Sequence, residues 1–556
     1  PVPMASFLLN VIVHGGDTAA WNATNVVLHL CTGILVFLLT RRVLAVAVTT
    51  KSTAAGNGMA LLVAGIWLLH PLQVSTVLYT VQRMAQFQAF FVFAGLLAYV
   101  AGRQRQLAQR SGGGWLIGIA FLVFFPLSLL SKENGILFPL FTFLTELCLF
   151  RFGGGLHARR ALAALYVVLL LIPAVAGTAW LLENIDTFVM PGYESRPFTI
   201  SERVMTQFPV LLYYIYLLLV PMQRNMGFYH DDFTISHSLL DPPLTLAAMV
   251  IITGMIALAL LYRRKVALPA FGVLFFFAAH SLEASVFPLE LFFEHRNYLP
   301  AWGLVLALVA ALSGVLHNRR LLALTGSAML IVLAGLTAIR ADTWGAFDTF
   351  YQHAYRSHPD SPRVNTILGN YFADAGRYDE ALQYLGKFND IGFTINRLYV
   401  KCQRDGRLDD RFVEQAAAGL NGVIGNHAVN SLVHLANAGL DGECAISEPA
   451  FSRLVEELLQ QPVSDRNSSV FLIYLAHYKH GAGRLDTALA TLRQAFGFEQ
   501  DTPIPLLLGT EWLLDVGEVE RARQWYAEAL EIVAISRHNF TEYTREIEAR
   551  MAKAVY

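Results

Sequence analysis

The sequence predicts an all-α protein in two parts: a polytopic bundle of membrane-spanning helices over residues 1–340, then an α-solenoid of helical repeats over residues 341–556. Three observations carry this reading. The chain has 556 residues, 55% of them hydrophobic and 15% charged, which is too apolar for one soluble domain and too long for a single core. Long apolar runs continue to Ile339. Beyond Arg340 the composition becomes that of soluble helices, and a glycine-containing turn recurs. The 41 basic residues against 42 acidic ones give no polyanion-binding signal, so no nucleic-acid partner is expected.

Apolar runs of roughly 15 to 22 residues, near the length that crosses a ~30 Å hydrocarbon core, fall at ten positions. They are Thr24–Thr40, Met59–Tyr79, Ala85–Ala101, Trp115–Leu130, Ile136–Phe150, Ala161–Leu182, Leu244–Tyr262, Val266–Leu282, Trp302–Leu316 and Leu321–Ile339. An eleventh run, Val204–Val220, carries Tyr213, Tyr214 and Tyr216 together with Pro209, and interfacial or re-entrant placement suits it better than a crossing. Ten crossings put Arg41, Arg42 and Lys51, then Arg103, Arg105 and Arg110, then Arg151, Arg159 and Arg160, then Arg263, Arg264 and Lys265, then Arg319 and Arg320 in alternate loops. By the positive-inside rule these loops are cytoplasmic, so the opposite loops and everything after Ile339 are expected in the periplasm, or in the lumen of a eukaryote. The Ala- and Arg-rich composition points to a bacterial inner membrane. The chain begins at Pro1 without a signal-peptide pattern, and its true N-terminus is expected upstream.

The repeat turns are Gly376-Arg377-Tyr378-Asp379, Gly406-Arg407-Leu408-Asp409, Gly483-Arg484-Leu485-Asp486 and Gly517-Glu518-Val519-Glu520. Glycine ends one helix in a left-handed conformation, and the acid opens the next at its positive dipole end. Ala381, Ala488 and Ala522 stand five places after their glycines, where two helices of a hairpin touch. Leu368-Gly369 with Phe372, Leu508-Gly509 with Trp512, and the spacing of 34 from Gly483 to Gly517 match the tetratricopeptide pattern. Such arrays bind an extended peptide or another protein; a rigid spacer is the plainer alternative. Cys402 and Cys444 either form a disulfide in an oxidising compartment or stay two unreactive thiols.

Most of the strong charge of the membrane part gathers in three loops: Lys132-Glu133, His230-Asp231-Asp232 and Glu294-His295-Arg296-Asn297-Tyr298. Ions beside a bilayer core are costly unless paired or used. Pro3 to Asn10, Asn25 to His29, Leu69-His70-Pro71, Leu130-Ser131-Lys132-Glu133-Asn134-Gly135, Ser238-Leu239-Leu240-Asp241-Pro242 and Glu294 to Pro300 together carry a family likeness. Over nearly all of residues 1–339 the chain resembles the transmembrane-and-tetratricopeptide-repeat O-mannosyltransferases, with repeats following in that family's order. The resemblance implies a GT-C-like bundle and a GT-C glycosyltransferase, which transfers a sugar from a polyprenyl-phosphate-linked donor to a protein or glycan acceptor on the external face. It also implies an acidic catalytic base in a first external loop, expected before Pro1.

On physical grounds the departing lipid phosphate needs a cation, and guanidinium binds phosphate oxygens bidentately. Arg296 is the first candidate; Arg83 and Lys132 follow. Glu133, His230, Glu294, His295 and Tyr298 are candidate polar groups of the substrate site, and Asp231 or Asp232 would contact the sugar or serve as a weak candidate base. The structural alternatives are that Arg296 pairs with Glu294 and Lys132 with Glu133 or another loop acid, and that His230-Asp231-Asp232 is a solvated turn. No cofactor is expected to be required; a divalent cation would need a third ligand from elsewhere. Asn25 and His29 are expected to bond a neighbouring helix. His70 before Pro71, and Pro126, mark helix breaks. His280 and Glu283 either extend a polar cavity or satisfy one another. No Walker loop, His-Glu-x-x-His or Cys-x-x-Cys is present. The alternative from another class is a non-catalytic membrane scaffold whose repeats gather partners for envelope, pilus or polysaccharide assembly.

Overall fold

The computed structural model describes residues 1–47, 53–194, 196–315, 318–536 and 539–553; Lys51 and Leu316 lie outside them. Among these residues the fold is all-helical, with one isolated β-bridge between Arg407 and Ala445 and no strand. The chain divides into two compact units, one of residues 1–191 and 198–361, the other of residues 192–197 and 362–556. The divide therefore falls after Ser361, beyond the composition change at Arg340.

The first unit contains α1 (Val2–His14), α2 (Thr18–Ala47), α3 (Thr53–Leu68), α4 (Arg83–Leu107), α5 (Gly113–Leu129), α6 (Glu133–Phe150) and α7 (Leu156–Glu183). It continues with α8 (Ile200–Leu219), α9 (Leu244–Tyr262), α10 (Ala267–His280), α11 (Pro300–Val315), α12 (Arg319–Thr343) and α13 (Phe347–Ser357). Among the described residues six helices, α2, α4, α6, α7, α9 and α12, are long and apolar enough to cross a membrane. A seventh span is a bent pair, Gly56–Leu68 and Pro71–Val77, which meet at 47°. The bend sits at His70-Pro71, where proline has no N–H to continue the ladder.

Three of the ten expected spans coincide with shorter apolar helices. In α5, α10 and α11 the apolar helix has at most 17 residues; the 14 residues of α10 reach about 21 Å, short of a ~30 Å core. The aromatic run before Pro221 forms α8, which is not among the helices apolar enough to span. Its capping box, Thr199 with Glu202, fixes its start. Proline widens the turn before it in α5, where Ala120–Phe124 is π-helical ahead of Pro126.

Aromatic packing and close helix contacts hold this unit together. Trp67, Phe93, Phe138, Phe141, Phe275 and Trp302 are fully buried in one apolar cluster. Helices α10 and α11 approach so closely that a Cβ on Gly303 would lie 2.6 Å from the Gly272 carbonyl oxygen, the small-residue packing by which apolar helices associate. Deep inside the unit, Arg103 on α4 holds both oxygens of Glu146 on α6, at 2.6 and 3.1 Å, and Tyr99 donates to the same carboxylate.

The second unit is a stack of helices, its turns set by glycines with positive φ at Gly376 (73°), Gly406 (69°), Gly483 (75°) and Gly517 (82°). Pro362–Asp374 packs on Tyr378–Leu385, Asp465–Gly481 on Leu485–Phe498, and Ile504–Asp515 on Val519–Ile535. Ala381, Ala488 and Ala522 are fully buried at these contacts, and Gly369 and Gly509 face Leu385 and Trp525 too closely for a side chain. The middle differs: Ile391–Asp405 packs chiefly on Asn426–Leu440, and Asp410–Ala418 on Glu448–Leu459. Here each helix pairs with the next but one. A Cys402–Cys444 disulfide, Cα atoms 5.5 Å apart, ties this part together.

Candidate functional site

The segment Ser131-Lys132-Glu133-Asn134-Gly135 becomes a tight turn between α5 and α6. A Cβ on Gly135 would stand 2.5 Å from the Leu129 amide nitrogen, so the backbone can close only around glycine. The turn presents Lys132 to Glu283, which follows α10, with Nζ 2.6 Å from Oε1. Arg296 approaches the other oxygen of Glu283 with Nε at 3.7 Å, donates from Nη1 to the Leu291 carbonyl at 3.2 Å and lies over the Phe293 ring. Two cations thus share one carboxylate. Burial disfavours the charged form of Glu283, yet Lys132 and Arg296 outweigh it and hold its pKa at about 2. Burial, reinforced by Lys132, keeps His295 neutral, its pKa well below the usual imidazole range.

Gln88, Lys132, Asn134, Glu283, His295 and Arg296 line a recess of about 10 Å³, roughly the room one water needs. Gln88 Nε2 and Asn134 Oδ1 are buried and, among the described residues, have no hydrogen-bond partner. A buried amide donor and a buried amide acceptor are thus left open in one recess beside two cations.

The second ionic group is built on Glu294, in the 3₁₀ turn Glu294–Asn297. Its partner is Arg340 at the end of α12, with Nη2 2.5 Å from Oε2, and His230 Nε2 lies 3.4 Å from Oε1. Burial raises the Glu294 pKa, but Arg340 and the hydrogen bond to His230 bring it below the ordinary value. Burial in turn lowers that of His230. The ring of His230 meets that of His358, centroids 4.2 Å apart. Asp231 and Asp232 diverge: Ser361 donates to Asp231 at 2.5 Å, and His358 Nδ1 lies 3.0 Å from Asp232. Among the described residues no cluster of three or more His, Cys, Asp or Glu is arranged to hold a metal ion.

The sequence candidates therefore separate into two sets, with others outside both. Lys132, His295 and Arg296 come together; His230 and Glu294 meet elsewhere, with Asp232 joined through His358. Arg83 belongs to neither set. It is fully buried and spends its donors on neutral acceptors: Asn25 Oδ1 at 2.6 Å, Asn10 Oδ1 at 2.5 Å, the Trp21 carbonyl at 3.0 Å and Ser6. It fastens α1 to α2 and α4. Glu133 is exposed. Tyr298 is 1% exposed; its hydroxyl meets His29 Nδ1 at 2.8 Å and its carbonyl accepts from Trp67 at 2.9 Å, so it anchors the loop in the core. Asn25 and His29 bond neighbouring helices, through the Val77 and Leu68 carbonyls.

Of the two expected structural pairings, Arg296 takes Glu283 rather than Glu294, whereas Lys132 does pair with another loop acid, Glu283, and not with Glu133. His280 stacks on Tyr214. Sequence reasoning missed Gln88, Arg340 and His358. The available signal for Arg340 was a lone basic residue closing an apolar run. Comparison of the chain with family models, curated proteins and solved structures finds no match.

Proposed function

We propose that this is an integral membrane glycosyltransferase of the GT-C class. It would take a sugar from a polyprenyl-phosphate carrier and attach it to a protein or glycan acceptor on the periplasmic face of a bacterial inner membrane. The observation that carries the reading is the recess where Lys132 and Arg296 share the single carboxylate of Glu283. That leaves one positive charge in excess, beside an unpartnered amide donor and acceptor. As the sugar departs, negative charge grows on the carrier phosphate; cations already fixed by Glu283 meet it without reorganising. Gln88 and Asn134 offer hydrogen bonds of both senses to sugar hydroxyls. No cofactor is needed for this chemistry. The second unit, read as tetratricopeptide-type repeats, recruits the acceptor, and its disulfide suits an oxidising compartment.

The test is sugar transfer by the intact protein in liposomes, with a labelled polyprenyl-phosphate sugar. Arg296→Ala should lower the rate by about 10²- to 10³-fold, the scale for losing one charge-stabilising group. Wild-type rates in a folded Arg296→Ala protein would remove Arg296 from the reaction. No transfer by the wild-type protein would leave the scaffold reading.

A further inference from the structure

A second cavity, of about 200 Å³, lies between α3, α8, α11 and α12. Its walls include Ile66, Leu218, Val305, Met329, Val332 and Leu333. Engineered apolar cavities of about 150 Å³ stay dry and take up benzene, so a larger one with such walls suits an apolar occupant. Among the described residues its only polar lining side chain is His70, and both ring nitrogens are engaged. Nδ1 accepts from the Leu72 amide at 3.2 Å and Nε2 stands 3.2 Å from the Leu218 carbonyl oxygen. The cavity shares no lining residue with the ionic recess.

Two features identify what enters it. The mouth opens sideways: Val332 and Leu219, both in the wall, are 59% and 49% exposed, beside the exposed Ile331 on α12. On a helix apolar enough to span a bilayer, that surface faces lipid chains. At the polar end, Met329, Leu333 and Arg340 share one face of α12, with Arg340 seven residues past Leu333 and so about 10 Å further along the axis. Arg340 lies within electrostatic range of His70. Its Nη2 is committed to Glu294, while its Nε is buried and has no partner among the described residues.

We propose that this cavity holds one acyl chain of a bilayer phospholipid, whose phosphate oxygen accepts a hydrogen bond from Arg340 Nε. The lipid would fill the seam between α12 and α3, α8 and α11. The inference requires only that the first unit lies in a bilayer, and it stands apart from the sugar-transfer reading.

Native mass spectrometry of the whole protein released from nanodiscs tests it, with phosphatidylglycerol and undecaprenyl phosphate supplied in equal amounts. The wild-type protein should retain one phosphatidylglycerol. Met329→Trp, which fills the cavity, and Val332→Trp, which bars its mouth from outside the core, should each lower the lipid-bound fraction at least fivefold. Leu324→Trp, on the exposed part of α12, should leave it unchanged. If Met329→Trp does not fold, Val332→Trp decides. The proposal is overturned if the wild-type protein retains no phospholipid, if it retains undecaprenyl phosphate instead, or if Val332→Trp binds as much as wild type.

Discussion

Glu283 is the residue on which the ionic recess turns, and replacing it with glutamine has a consequence whose size follows from the geometry. Its carboxylate is 5% exposed, takes Lys132 at 2.6 Å and lies 3.7 Å from Arg296. Burial opposes its charge and the two cations more than compensate, bringing its pKa from 4.5 to about 2. At 1.36 kcal/mol per pH unit, that depression is worth about 3 kcal/mol to the folded loop. Because the folded pKa is the lower one, this stabilisation is fully present above pH 4.5 and is lost as the pH falls from about 4.5 toward about 2. Glu283→Gln removes it at every pH and leaves the buried Arg296 and the largely buried Lys132 without a carboxylate, a loss on the order of 3–5 kcal/mol when one partner of a buried pair is deleted. Hydrogen exchange across residues 281–299 should show wild-type protection that is constant from pH 7 to 4.5 and falls below it; the variant should exchange faster and show no such step. Infrared difference spectra of wild type against Glu283→Gln locate the carboxyl titration directly. A protonation midpoint near 4.5 would refute the reasoning, since it would mean that the cations do not hold the charge.

Two further expectations concern the frame around the site. Arg83→Gln deletes charged hydrogen bonds to Asn10, Ser6 and Trp21, each worth about 1.5–3 kcal/mol; α1 should detach, seen as rapid hydrogen exchange over residues 2–14 with little change in α10 and α11, whereas unchanged exchange would mean that apolar contacts alone hold α1. Cys402→Ser opens a loop of 42 residues, for which chain entropy predicts a cost of about 4 kcal/mol. The second unit's unfolding midpoint should drop in the variant and in wild type treated with reductant; equal midpoints under reducing and oxidising conditions would count against the crosslink.

Much of the helical plan was legible in the sequence because its signals are local. Gly376, Gly406, Gly483 and Gly517 all adopt positive φ, as a helix-ending glycine does whatever it packs against. The break at His70-Pro71 follows from proline chemistry, and α8 with its three tyrosines and Pro209 falls outside the spanning helices. Hydropathy gave less help with length: α10 has 14 residues, because its end turns into the loop that holds Glu283. Hydropathy counts apolar residues and does not register where the chain bends back.

The charged loops were recognisable as unusual, but their pairings were not. Lys132 meets Glu283 across 151 residues, while its sequence neighbour Glu133 is exposed. Glu294 reaches over Arg296, two residues away, to Arg340. Short-range spacing favours neighbours as partners, yet a 3₁₀ turn points adjacent side chains apart.

The sequence by itself determined the helical class, the apolar segments, the repeat turns and the three loops that carry charge, because propensity, hydropathy and turn chemistry act over a few residues. Only the tertiary structure decided which charges meet: it gave Glu283 two cations, gave Glu294 to Arg340, withdrew Arg83 into a neutral hydrogen-bond cage and left Gln88 and Asn134 facing one recess. Those outcomes depend on how α4, α10 and α12 pack, and a Coulomb interaction between buried groups is set by separations that no linear spacing encodes.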